Sequence, residues 1–237
     1  ALRNAWEITS SMQFGPVATN DYINKLDTWP VNLGAIDAFR TAPGLPELVD
    51  IEGLPNDQRG FHALEYILYG VDGNRTHGDL SDRDRRTMEK LGQHFLKITQ
   101  EIYTAWTVGK NSYYNEIVYT KNGSTTFKSN KDFFNTIVEG MNTNCKNLVI
   151  KNLGAPYDAI DSAAVESPFS NMSMKDIIDN MSSLKNVYTG RFKGSTGYGI
   201  KDVIKDKNSG LASKLDTRIT AVDSALNAIK MPLDSAI

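Results

Sequence analysis

Apolar side chains recur at alternating steps of three and four from Met88 to Ala105, through Leu91, Phe95, Ile98 and Ile102. That spacing puts all six on one stripe of an α-helix and commits this stretch to burying the stripe against its neighbours. Ser81 stands ahead of the run. Asp82 and Asp84 sit near its start, where carboxylates suit the positive end of a helix. Gly109 follows Trp106 and Val108 as a stop. The same rhythm returns three times. Phe133, Phe134, Ile137, Val138, Met141 and Leu148 predict a helix over 130–149. Ser173 and Asp176 have the spacing of a capping box, and Met174, Ile177, Ile178, Met181, Leu184, Val187 and Tyr188 follow as an amphipathic helix. Leu211, Leu215, Ile219, Val222, Leu226 and Ile229 form the last. Period-two alternation is confined to short candidates from Glu116 to Thr120. The expected fold is all-α and bundle-like.

Four irregular stretches punctuate the helices. Thr41 to Asp57 holds Pro43, Gly44, Pro46, Gly53 and Pro55, a loop long enough to suggest a function. Lys121 to Asn130 is a polar Gly/Ser/Thr connection and the expected domain boundary, dividing the chain into 1–120 and 121–237. Gly154 to Ser170 is the third. Gly190 to Gly199 is the fourth, with further glycines at 194 and 197.

Composition removes several function classes. With 26 basic and 28 acidic residues the net charge is −2, and no basic block marks a nucleic-acid surface. No apolar run approaches the ~20 residues that span a bilayer. Cys145 is the single cysteine, so no intrachain disulfide forms. The opening A-L-R-N-A-W-E already reads as helix. The chain is therefore expected to begin inside a longer protein, with any export signal upstream.

The segment R59-G-F-H-A-L-E-Y-I-L-Y-G70 is the chemical anomaly. On a helix, Phe61, Leu64 and Leu68 share one face, and His62, Glu65 and Tyr69 gather on the adjoining flank. His62 and Glu65, at i and i+3, reach one another or a common ion. Gly60 lets a second backbone approach closely and bring further groups to His62. Imidazole suits zinc, copper, iron and nickel, and a carboxylate adds the harder ions. Two readings stay open on the pattern alone: half of a metal site, or a polar pair bracing a packed helix junction. The segment is not the zincin H-E-x-x-H, because the second histidine is missing and the glutamate is displaced.

The remaining candidates are weaker. His77 lies in a G-N-R-T-H-G-D turn and reads as solvated. His94 flanks the long apolar stripe and reads as structural. Ser167 and Ser170, in E-S-P-F-S, are hydroxyls beside a turn proline. The glycines at 194, 197 and 199 match neither a phosphate loop nor a dinucleotide fingerprint.

G-F-H-A-L-E resembles the G-x-H-x-x-E motif of imelysin-like proteins. Ala5-Trp6 with Phe14-Gly15-Pro16, L-D-T-W-P-V from Leu26, V-E-S-P-F-S from Val165 and N-V-Y-T-G from Asn186 are similar to further segments of that family, in its order. The resemblance implies two helical-bundle-like halves around a central cleft, with His62 and Glu65 as metal ligands. Gly60, Asp27, Tyr69, Ser167 and Ser170 would line that cleft. It also implies an exported protein of the periplasm or outer membrane, often a lipoprotein whose anchor lies outside this sequence. The expected partners are a metal ion or metal complex, iron first and zinc as an alternative, and proteins of bacterial iron uptake. Three functions are compatible with it: an iron-uptake binding protein, a metallopeptidase as the family is classified, and a non-catalytic interaction module.

Overall fold

The computed structural model describes residues 2–41, 50–120, 122–161, 164–229 and 233. Among them the chain forms, in order, α1 (Leu2–Glu7), α2 (Pro16–Thr19), α3 (Tyr22–Asp27), α4 (Leu33–Thr41), α5 (Phe61–Tyr69) and α6 (Asp82–Thr107). There follow α7 (Tyr113–Val118), α8 (Asn130–Lys146), α9 (Ala155–Ala159), α10 (Ser173–Thr189), α11 (Ile200–Lys207) and α12 (Ser209–Ala228). The fold is all-α. Among the described residues the one exception is a hairpin of two two-residue strands, β1 (Arg191–Phe192) against β2 (Ser195–Thr196), inside the glycine-bearing stretch. Pro43, Gly44 and Pro46 of the expected loop, and Lys121 of the expected boundary, lie outside the described residues. Gly53 and Pro55 border short 3-10 turns at Ile51–Gly53 and Asn56–Gln58.

The chain's contacts divide it into two compact units: Phe14–Phe134, and Ala1–Gln13 together with Asn135–Ile237. This division crosses the consecutive halves 1–120 and 121–237. The reason is that α1 and the turn after it pair with α10. Asn4 Nδ2 donates to Asp179 Oδ2 at 2.7 Å, and the Ser11 amide donates to Ser183 Oγ at 2.9 Å.

In the middle unit α6 carries the core. Leu91, Phe95 and Ile98 are buried, with Phe61 stacked on Phe95 at 5.0 Å and Leu26, Ile36 and Ile67 packed inside the same unit. Ser81 caps α6 as its position predicts: its Oγ accepts from the Asp84 amide at 3.1 Å, and Asp84 Oδ2 accepts from the Ser81 amide at 2.9 Å. Asp84 is itself clamped by Arg40 Nε at 2.7 Å. Burial raises the Asp84 carboxyl, but the Arg40 and Ser81 bonds outweigh it and hold the group below its ordinary value. Ser81→Ala removes one cap and is expected to cost about 1 kcal/mol in a urea titration.

The segment Glu116 to Thr120 is not a strand. Tyr113–Val118 is helical because Ser112 Oγ accepts the Asn115 amide and starts a turn. On α5 the apolar and polar faces are both largely enclosed. Phe61, His62, Ala63, Glu65, Tyr66 and Ile67 are buried, whereas Leu64 is half-buried and Leu68 and Tyr69 are exposed. The helix is enclosed nearly all round over its first two turns and emerges at its end.

In the other unit α10 is the central element. Met174, Ile177, Met181 and Leu184 cluster with Leu148, Val165, Leu226 and Leu233. Ser173 and Asp176 do not form the expected capping box. Ser173 is the first helical residue and Met172 occupies the cap. Asp176 is taken by Ser167, whose hydroxyl donates to it at 2.6 Å, and by Arg3. The predicted helix over 130–149 ends as α-helix at Lys146 and continues as a π-helical run, Asn147–Gly154. Of the stretch from Gly154 to Ser170, Ala155–Ala159 is helical, and residues 162–163 lie outside the description. The last stripe is narrow: Leu226 is buried, but Leu211 and Val222 are exposed.

Candidate metal centre

The geometry at His62 begins with Gly60. Its φ is +88° and ψ −167°, a backbone region nearly reserved for glycine. A Cβ at this position would lie 2.5 Å from the carbonyl oxygen of Leu26. The end of α3 therefore runs directly against the start of α5, as the glycine's position suggested. The next residue after Leu26 is Asp27, and its Oδ1 stands 3.3 Å from His62 Nε2. The other ring nitrogen, Nδ1, is 3.1 Å from Glu65 Oε2 one turn further along α5. Trp29, from the same D-T-W-P segment, tilts its ring over the imidazole at 5.0 Å. His62 is 1% exposed, while the side chains of Asp27 and Glu65 keep 13% and 10% of their surface.

An imidazole flanked by two carboxylates has two chemical uses. Each carboxylate can accept from a ring N–H. Alternatively, one carboxylate holds the N–H of one nitrogen and fixes the ring, and the lone pair of the other nitrogen faces a cation shared with the second carboxylate. The latter is how metal-ligating histidines are usually oriented. The donor set, an imidazole nitrogen beside a carboxylate oxygen, suits iron or zinc.

The other expected site residues are placed as follows. Tyr69 is at the exposed end of α5. Tyr66, which the sequence did not single out, is buried there and donates to Asp37 at 2.8 Å. Ser167 and Ser170 belong to the other unit. Ser167, 3% exposed, is engaged by Asp176, and Ser170 is half-buried. Around Ser167 that unit gathers a charged network. The Arg3 guanidinium reaches Glu7 at 2.9 Å, Glu166 at 2.9 Å and Asp176 at 3.0 Å. Asn152 donates to Glu166, and Asn180 Nδ2 donates to Glu7 Oε2 at 2.6 Å. Burial is the largest influence on the acids and pushes Asp176 up and Glu7 up to about 7, against the pull of Arg3. Burial lowers Arg3, but its three carboxylates more than reverse this and raise it.

His77 is exposed in a short 3-10 turn, His77–Asp79. His94 is 2% exposed and holds a partner that sequence reading missed: its Nδ1 is 2.7 Å from Glu52 Oε1. Forty-two residues separate the two, and no local pattern links them. Cys145 is exposed.

Comparison with known proteins accords with this fold. The imelysin family model, a peptidase family, matches residues 1–237. Iron-regulated protein A of Synechococcus elongatus is 25% identical over 236 residues, which cover 98% of this chain and 63% of that protein. The chain thus spans less than two thirds of that relative's length. A crystal structure from Parabacteroides distasonis, assigned as an iron-regulated protein A precursor, matches with a TM-score of 0.74. It is 23% identical, with 98% of this chain and 72% of that one covered, and shows a common fold. With its full length matched by the family model, the chain belongs to the imelysin family.

Proposed function

We propose that this chain is an iron-binding member of the imelysin family, in which His62 Nε2 and Asp27 ligate the metal and Glu65 orients the imidazole through Nδ1. The carrying observation is the 3.3 Å approach of Asp27 Oδ1 to the nitrogen opposite the one Glu65 holds. Glu65, read from sequence as a ligand, serves here as the partner that sets which nitrogen is offered. The names of both relatives tie them to iron regulation, which favours iron over zinc as the ion. A zinc peptidase needs three protein ligands, an open position and a general base. Glu65 would have to serve as that base, and its contact with Nδ1 favours binding over hydrolysis. The same proposal has the protein act outside the cytoplasm beside periplasmic or outer-membrane iron-uptake proteins. Fractionating the cells that make it tests that part: recovery in the cytoplasmic fraction would refute it.

Titrating ferrous iron, ferric iron and zinc into the protein tests the site. His62→Ala and Asp27→Asn are expected to weaken uptake about a hundredfold, and Glu65→Gln by about ten- to a hundredfold, the usual loss for an orienting partner. Equal uptake by wild type and His62→Ala, or no uptake by wild type, would refute the site.

A further inference from the structure

We infer that His94 is a positioning residue for Asp27, acting through the last turn of α3. The inference rests on the metal-site reading above and adds a residue to it from a different helix. A helix leaves its last carbonyls without intrahelical donors, and these must find partners elsewhere. In α3 the Asn24 carbonyl accepts from the Thr28 hydroxyl at 2.6 Å. The Lys25 carbonyl, next in line, faces His94 Nε2 at 3.4 Å. The Leu26 carbonyl lies against Gly60. Asp27 follows at once. Its position is therefore set by three consecutive carbonyls, each with its own contact, and His94 supplies the middle one from α6.

The ring of His94 is in turn held. Its Nδ1 meets Glu52 Oε1 at 2.7 Å, and Glu52 Oε2 accepts from Lys97 Nζ at 2.7 Å. Both neighbours of the imidazole are acceptors: a neutral ring donates to one of them, according to its tautomer, and an imidazolium to both. Partial burial raises the Glu52 carboxyl, but the Lys97 and His94 bonds prevail and keep it below its ordinary value. A cavity of about 290 Å³, lined by Asp50, Glu52, Lys90, Gln93 and Lys97 among others, opens on this outer end. Glu52 keeps 40% of its side-chain surface, so the brace runs from the surface through a buried ring to the segment that presents Asp27. Glu52 can accordingly be replaced without opening the core.

The test compares His94→Leu, His94→Gln and Glu52→Ala with wild type in two measurements: titration with ferrous iron and with zinc, and hydrogen exchange of the peptide spanning 24–29 against α12 as internal reference. His94→Leu is expected to weaken metal uptake about tenfold or more, as loss of an outer partner does, while His94→Gln, whose amide still donates, stays within about threefold. Exchange over 24–29 should quicken in His94→Leu and Glu52→Ala, with α12 unchanged. Wild-type affinity and exchange in both His94→Leu and Glu52→Ala would overturn the inference. So would a loss in His94→Gln as large as in His94→Leu, which would mark a packing role only. If wild type takes up neither ion, the metal reading fails by itself, and exchange over 24–29 alone decides whether His94 fixes the turn.

Discussion

Gly60→Ala is expected to destabilise the middle unit by about 2–6 kcal/mol and to lower its melting temperature by roughly 5–25 °C. Two independent costs combine. A side chain at φ +88° and ψ −167° occupies a region essentially closed to non-glycine residues, at about 1–3 kcal/mol. The new Cβ also lies 2.5 Å from the Leu26 carbonyl oxygen and 2.9 Å from its carbon. That obstacle is backbone, not the tip of a flexible side chain, so relief requires α3 and α5 to separate, at about 1–3 kcal/mol for comparable overpacking. Separation moves Asp27 away from His62, so the iron uptake proposed above should fall more than the lost stability alone explains. Thermal and urea unfolding with and without ferrous iron check this. A Gly60→Ala protein within about 0.5 kcal/mol of wild type, the range of an ordinary surface change, would show that the two backbones are not in the contact described.

This glycine also shows how much of the site was legible in the sequence. The spacing of His62 and Glu65 fixed one contact, because i and i+3 on a helix are neighbours whatever surrounds them. Gly60 announced a close backbone, but not whose. Only the resemblance drew attention to Asp27, thirty-odd positions earlier. His94 and Glu52 carried no signal, since their contact depends on how α6 lies beside the Ile51–Gly53 turn. The fold divides in the same way. Ser81 and the stripe of α6 were readable because cap and periodicity are local. The box expected at Ser173 failed because Asp176 has stronger partners, Arg3 and Ser167, from elsewhere in its unit. Which side of α5 is buried was not readable, because placing His62 and Glu65 inside and Leu68 outside is a tertiary choice that hydropathy opposes.

Replacing Glu7 by glutamine is expected to gain stability relative to wild type as pH rises from 5 to 8. Glu7 is 3% exposed among Arg3, Glu166 and Asp176. Three carboxylates around one guanidinium leave an excess of negative charge in a buried place, and Arg3 cannot neutralise all of it. Burial therefore raises the Glu7 carboxyl from its ordinary 4.5 to about 7, with Glu166 and Asp176 adding to the rise and Arg3 and the Asn180 amide opposing it. The folded state binds this proton more tightly than the unfolded chain does. The contribution to stability is then fully present below pH 4.5 and is lost as pH rises through about 7. At about 1.4 kcal/mol per pH unit, Glu7 removes about 2–3 kcal/mol of stability between pH 5 and pH 8. Asp176, also raised, acts in the same direction, whereas Glu52 and Asp84, held low, act only at more acid pH. A glutamine keeps the oxygen that Asn180 donates to and carries no charge, but its amide nitrogen takes the place of the oxygen that faces Arg3 at 2.9 Å, a donor against a donor whose cost does not change with pH. Urea titrations of wild type and Glu7→Gln at pH 5 and pH 8 cancel every group that does not interact with Glu7, and read Glu7 together with its coupled neighbours Glu166 and Asp176. The gap between the two proteins should widen by about 2–3 kcal/mol in favour of Glu7→Gln as pH rises. A gap that stays constant with pH would mean that Arg3 stabilises the ionised carboxylate fully and that the network carries no proton at neutral pH.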